Sequence, residues 1–298
     1  MGFAIQRGGT CTLAAVEELV VKRRASQLVA LAEAAVWVGG GLVAAAALRM
    51  LPPVPVGYGV GAATVFGGVL LGLGAWVNGA CILGAVARFG SGQWAYIVTP
   101  LGFFLGCLTF GPLFAASSPA PQDASPWLQH ATLWALVPFA GFACWRLAHL
   151  HATPDARRWS PHTATTVIGL AFLALLLLVG AWAYTDVLID AARGMPHGAA
   201  VPAALSAALL AGAVLGGWTA GLFRHTRASP RQIARCLAGG LLMGWGALLV
   251  PGGNDGLVLV GLPLLRPHAW LALFAMTATI ALLIVLMRMA RGARRMRP

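Results

Sequence analysis

The chain has 298 residues, of which 59% are hydrophobic and 9% charged, with twenty Lys and Arg against eight Asp and Glu for a net charge of +12. A soluble domain carries about 25% charged residues, and at a mean hydropathy of +0.81 no water-soluble fold could cover so much apolar surface. The basic residues gather at the ends of apolar runs, as in membrane-protein loops, so nucleic acid is excluded as a partner and a lipid bilayer is the expected surroundings.

The first element, Gly2 to Cys11, is apolar, is interrupted at Gly8-Gly9, and continues into the helical pattern Thr12 to Val21. It begins too abruptly for a complete span and has no signal-peptide n-region or cleavage site. The start has therefore either lost part of a helix or opens on a short element. Glu17 and Glu18 stand at helical spacing from Lys22 and read as surface pairs. Runs long enough to cross a bilayer, about 20 residues, follow at 27 to 48, 93 to 115, 127 to 148, 163 to 185, 199 to 223 and 266 to 287. Glu33, inside the first of these, is expected to pair with Arg23 or Arg24. Two further runs, 58 to 89 and 236 to 265, are longer and Gly-rich. The linkers are Pro52 to Pro55, Ser117 to Ser125, His149 to His162, Asp186 to His197 and Arg224 to Arg235, none large enough for a soluble domain.

The two long runs share a repeat. Gly67 to Gly84 and Gly239 to Gly256 are identical at seven of eighteen positions at an offset of 172. Each copy ends where a membrane helix should break: Asn78-Gly79-Ala80-Cys81 in one, Pro251-Gly252-Gly253-Asn254 in the other. If every run crosses once and Lys22-Arg23-Arg24 is cytoplasmic, sixteen of the twenty basic residues lie inside and three (Arg49, Arg193, Arg266) outside, with Arg7 in the first segment. That asymmetry supports the topology and a cytoplasmic C-terminus. The two breaks are then entered from opposite sides, which predicts inverted repeats with the substrate site between them. The expected fold is an all-α polytopic membrane protein with broken or re-entrant helices meeting at a central constriction. It forms a single transmembrane domain over 1–298, with the first repeat at about 1–115, the second at about 127–287 and a basic tail over 288–298.

Breaks in a bilayer need a reason, because an unpaired backbone group there costs several kcal/mol unless protein or a wet cavity surrounds it. Gly79, Gly252 and Gly253 permit the turns, Pro251 has no N–H to lose, and Asn78, Asn254 and Asp255 can bond to freed backbone groups. A short helix starting after Cys81 or near Asn254 would aim its positive N-terminus into the membrane interior, where anions are attracted. Asp255 would repel an anion and reads as a helix cap. A thiol in apolar surroundings stays neutral and offers an anion a soft contact weak enough to release. Cys11 and Cys81 stand in Gly-flanked breaks and fit that use; Cys107 and Cys144 read as small buried hydrophobes. Arg7, a charge in an apolar segment, is a functional candidate. His149 and His151 lack ligand partners, and the five cysteines contain no Cys-x-x-Cys pair, so neither a metal nor another cofactor is expected. The Gly-x-x-x-Gly pairs at 68/72, 102/106, 212/216, 217/221 and 240/244 read as close helix packing.

Phe3 to Cys11, the loop ending Gly79-Ala80-Cys81, and Pro251 to Leu257 resemble the three signature loops of the YeeE/YedE family of membrane proteins, whose best understood members take up thiosulfate. The likeness runs through nearly the whole chain. It implies an hourglass-like fold in the bacterial inner membrane, with one cysteine per loop along the path and a cytoplasmic sulfurtransferase receiving the product. Two cysteines carry over as Cys11 and Cys81. The third falls on Gly253, by substitution or a one-residue shift. The resulting expectation is a transporter, not an enzyme, that moves a small sulfur-containing anion, thiosulfate first, inward along Cys11, Cys81, Asn78, Gly79, Gly252, Gly253, Asn254 and Arg7. No nucleotide-binding loop is present, so energy would come from an ion gradient, the membrane potential or downstream consumption. Two other classes are a membrane-embedded sulfurtransferase with a cysteine nucleophile and a non-transporting subunit of a sulfur-metabolism complex.

Overall fold

The computed structural model describes residues 1–114, 121–122, 134, 136–149, 157–194 and 200–295. Seven helices among them are long and apolar enough to cross a membrane, from Ser26–Ala47 to Pro267–Arg291. The chain is an all-α multi-pass membrane protein. Phe66, Leu178, Trp218 and Phe274 stand exposed on the outside of the bundle, where lipid rather than water covers such side chains at no cost.

The elements follow the apolar runs closely. The first is broken into α1 (Gly2–Gly8) and α2 (Thr12–Glu17), the latter prolonged by a π-helical turn over Glu18–Lys22. Next come α3 (Ser26–Ala47), α4 (Ala62–Asn78), α5 (Ile82–Gly90), α6 (Val98–Phe114) and α7 (Leu136–Ala148). Then follow α8 (Pro161–Val179), α9 (Tyr184–Ala192), α10 (Ala200–Thr219), α11 (Pro230–Leu249), α12 (Asn254–Gly256) with a π turn over Leu257–Gly261, and α13 (Pro267–Arg295). Local chemistry sets several starts. Ser160 and Ser229 cap α8 and α11 by accepting the N–H groups of Thr163 and Gln232, each followed by proline in the first turn, where a missing N–H costs nothing.

Three expectations change. The segment Asp186 to His197, read as a linker, is helical through Ala192, so the run 163 to 185 ends in a further break at Gly180 to Ala183. Glu33 pairs with neither Arg23 nor Arg24: Arg146 of α7 grips it through Nε at 3.0 Å and Nη2 at 2.6 and 2.8 Å, and His162 Nδ1 lies 2.9 Å from the same carboxylate. Neither Glu17 nor Glu18 forms an ion pair with Lys22 among the described residues; Glu18 instead accepts the N–H of Gln27. The front of the run 127 to 148, most of Ser117 to Ser125, parts of the linkers His149 to His162 and Asp186 to His197, and the last three residues of the tail lie outside the described residues.

Glycine decides how the long helices meet. An added methyl group at Gly67 would lie 2.8 Å from the carbonyl oxygen of Gly246, and one at Gly74 would lie 2.7 Å from that of Gly239. The two copies of the repeat therefore cross antiparallel with backbones in contact, and the offset of 172 exchanges the two contacts. Around this pair α13 runs parallel to α4, Gly68 and Gly72 touching Ala272 and Met276. In the same way α6 runs parallel to α11, Gly102 and Gly106 touching Leu237 and Leu241. The expected packing role of these Gly-x-x-x-Gly pairs is realised inside one chain.

Candidate functional site

Four helix interruptions converge on the middle of the bundle, each built in the same way. A glycine with positive φ follows the incoming helix, as its C-cap at Gly9 (59°), Gly79 (79°) and Gly180 (102°) and two residues past the Val250 cap at Gly252 (133°). An extended residue then caps a short outgoing helix: Cys11, Cys81, Ala183 and Gly253. The caps Ala183 and Gly253 lie 172 residues after Cys11 and Cys81, the offset of the sequence repeat.

At the second break sulfur takes the place of an ordinary capping oxygen. Cys81 Sγ accepts the N–H of Gly84 in its own helix at 3.5 Å and that of Thr12 across the break at 3.2 Å. Cys11 Sγ accepts the N–H of Cys81 at 3.5 Å. The two thiols thus share a lattice of backbone donors, the soft-acceptor form of an anion-binding helix start. Gly84 makes this possible, because a side chain there would collide with Cys11 Sγ. Asn78 donates to Ala80 O at 2.7 Å and accepts from Thr99 Oγ1 at 3.0 Å. Fully buried, it braces the turn.

The other two breaks carry a different pair. Thr185 donates to Asp255 from its Oγ1 at 2.5 Å and its backbone N at 3.1 Å, while the carboxylate also faces the N–H groups of its own residue and Gly256. The expected capping role of Asp255 is thus joined to a tie between α9 and α12. Thr185 and Asp255 are the 172-offset counterparts of Leu13 and Leu83. Asn254 Nδ2, 3.4 Å from Thr12 Oγ1, links the two pairs. Its Oδ1 is buried without a partner among the described residues.

Two cavities reach this centre from opposite ends of α4 and α11, which are about 25 and about 30 Å long at ~1.5 Å per residue. The first, about 730 Å³, is lined by Arg7, Cys11, Gly79, Arg88, Arg158 and Arg224 among others. Arg7 is held there by Thr219 Oγ1 at 3.0 Å and the Arg157 carbonyl at 3.2 Å, over the Phe3 ring. The second, about 310 Å³, is lined by Gly252, Asp186, Asp190, Arg193, Arg266 and His268 among others. Of the residues singled out in the sequence, Arg7, Cys11 and Gly79 border the first cavity and Gly252 the second. Cys81, Asn78, Gly253 and Asn254 lie buried between them. Cys107 is buried in helix packing as expected, as is Cys236, whereas Cys144, read as a buried hydrophobe, is exposed.

Sequence reasoning missed Thr12, Thr185 and the role of Asp186. The signal was available: applying the offset of 172 to the first break as well as to the Gly-rich one leads directly to Ala183 and Thr185. The vacant third cysteine position also has a physical account. A side chain on Gly253 would run into Cβ, Oγ1 and Cγ2 of Thr185, so the threonine fills the space that a thiol would take. Gly253→Cys is expected to destabilise the protein by about 1–3 kcal/mol, the cost of overpacking, and Gly253→Ala, whose methyl group meets the same Thr185 atoms, should also lose stability. Thermal unfolding in detergent measures both, and an unperturbed single variant would overturn the account.

A model of the sulphur transport family matches residues 7–282, from the arginine of the first break into the last long helix. Among curated proteins none matches the chain. The four converging breaks, the paired thiols and the seven long apolar helices are thus the architecture of a membrane protein that belongs to the YeeE/YedE sulphur transport family.

Proposed function

We propose that this sulfur-compound transporter takes up a small sulfur-containing anion, thiosulfate first, across the bacterial inner membrane. The observation that carries the reading is the Cys11–Cys81 pair. Two thiols at the starts of two short helices, ringed by backbone N–H donors, meet beside a cavity with four arginines that Cys11 borders. A sulfur-bearing anion matches both halves of that site: its charge is met by N–H groups and distant arginines, its sulfur by polarisable thiols. In this reading Asn78 is a positioning residue, and Gly79, Gly252, Gly253 and Asn254 shape the constriction.

The Lys/Arg distribution assigns the first cavity to the cytoplasm and the second to the outside. The crosswise Gly67–Gly246 and Gly74–Gly239 contacts and the common offset of the four caps support inverted repeats, with the thiols on the inner half of the path. Each elementary charge moved against a 100 mV potential costs about 2.3 kcal/mol, so a dianion entering a negative interior needs a driving force. A cytoplasmic sulfurtransferase that consumes the imported sulfur fits that need.

Uptake of ³⁵S-labelled thiosulfate by sulfur-starved bacteria expressing the chain tests the proposal. Cys81→Ser and Cys11→Ser are each expected to cut the initial rate roughly tenfold, the equivalent of one lost contact of about 1.4 kcal/mol. Rates unchanged in both variants would remove the thiols from the path. Label held as a stable persulfide on either cysteine would instead make the protein a sulfurtransferase.

A further inference from the structure

The second cavity contains a combination that neither the thiols nor the fold requires. Arg266 is buried, and among the described residues its Nε has no hydrogen-bond partner, although its Nη2 donates to the Pro55 carbonyl. The residue lines the cavity, and a buried guanidinium N–H without a partner is a donor that the protein itself leaves unmet. His268 and Arg193 line the same cavity, so its cationic side suits an anion. Yet Asp186, half-buried, lines the same cavity, its carboxylate about 4 Å from where a side chain on Gly256 would begin. Among the described residues that carboxylate has no hydrogen-bond partner, unlike Asp255, which Thr185 holds. A permanent negative charge at this point would oppose the anion that Arg266 invites.

We propose that the second cavity is the loading site for the anion, held by Arg266, and that Asp186 takes up one proton as the anion binds, so that the two move together. The inference rests on the proposed transport of a sulfur anion and adds its coupling ion. The balance is simple: a proton from the outer solution adds to the Asp186 carboxylate, no other bond is made or broken, and the pair carries one negative charge fewer than the anion alone. The groups facing Asp186 are Asp190 one turn along its own helix, Asp255 of α12, and Arg193, Arg266, His268 and Tyr58 around the cavity. Asp186 stands in the first turn of α9, directly after the break at Gly180 to Ala183, with the carboxylates of Asp255 and Asp190 nearby; a proton on Asp186 relieves the crowding of like charges. Asp190, exposed and on the same helical face, gives protons a route inward.

Reciprocal linkage sets the expected behaviour. Where Asp186 is ionised in the free protein, binding must import the proton and thiosulfate affinity falls about tenfold per pH unit. Where the proton is already present the dependence flattens. Calorimetric titration of the purified full chain with thiosulfate, in buffers of different ionisation enthalpy at pH 8, counts the protons taken up. Thiosulfate is fully ionised there, so any proton goes to the protein. The wild type is expected to take up close to one, Asp186→Asn close to none with affinity independent of pH, and Asp186→Glu to recover the uptake. Binding without proton uptake in the wild type would overturn the coupling while leaving sulfur-anion transport standing. No binding and no vesicle uptake of thiosulfate, sulfite or sulfide by the wild type would remove the transport reading and this one with it. Should Asp186→Asn not fold, the wild-type count alone decides. An Arg266→Gln variant that binds thiosulfate as tightly as the wild type would overturn the placement of the anion.

Discussion

Glu33→Ala is expected to lower stability by about 3–5 kcal/mol, because it leaves Arg146 buried and charged with nothing opposite it. Both partners are more than nine-tenths buried, and the guanidinium meets the carboxylate edge-on through Nε and Nη2, the geometry that makes such pairs strong. The same carboxylate takes a contact from His162, whose Nε2 lies 3.3 Å from Ser26 Oγ, so the loss reaches α3, α7 and α8 together. A fall in melting temperature of roughly 10 °C follows for a chain of this size. The ion pair itself need not be stabilising relative to apolar packing, since desolvation offsets most of its attraction. Glu33→Leu combined with Arg146→Met is therefore expected to recover most of the loss, and unfolding curves of the three proteins in one detergent give the comparison. A single variant as stable as the wild type would show that Arg146 finds water on its own.

Gly240→Leu should do comparable damage by a different route. A side chain at Gly240 points into the Thr99 carbonyl and the Phe103 backbone N, so the obstacle is main chain that cannot rotate aside. Overpacking into a core costs about 1–3 kcal/mol where side chains can yield; with backbone on both sides the expected loss is at the top of that range or above it. Because α11 also touches α4 through Gly239 and Gly246, separation of α6 from α11 opens the framework that holds Cys81. Uptake is expected to vanish together with the monodisperse elution peak. Gly141→Leu is the control, since space around Gly141 is open and only a small change is expected there. A Gly240→Leu protein with normal uptake would refute the close crossing.

Much of this molecule was legible in the sequence, for reasons that differ by element. Helix interruptions at Gly79 and at Gly252-Gly253 show because glycine and proline are the residues that can break a helix, and because the same text occurs twice. The third interruption, at Gly180 to Ala183, has one glycine and apolar neighbours, and the carboxylates that follow it look like solvent-facing linker. Only the position of α9 in the bundle reveals them as cavity lining. Glu33 shows a similar limit. The nearest cations in sequence were Arg23 and Arg24, but the partner is 113 positions away, since a burial cost is met by whichever cation the fold delivers.

Sequence alone determined the membrane environment, three of the four helix interruptions and the two thiols, because each follows from local composition: apolar length, backbone freedom and the softness of sulfur. Tertiary structure decided which of these groups meet. It put Cys11 against Cys81 across 70 residues and Thr185 against Asp255 across another 70, and it filled the space beside Gly253 with a threonine. It also left Arg266 and Asp186 facing one cavity. These are consequences of two glycine-lined helices crossing at backbone contact, which brings four distant interruptions to one point in a way no local pattern encodes.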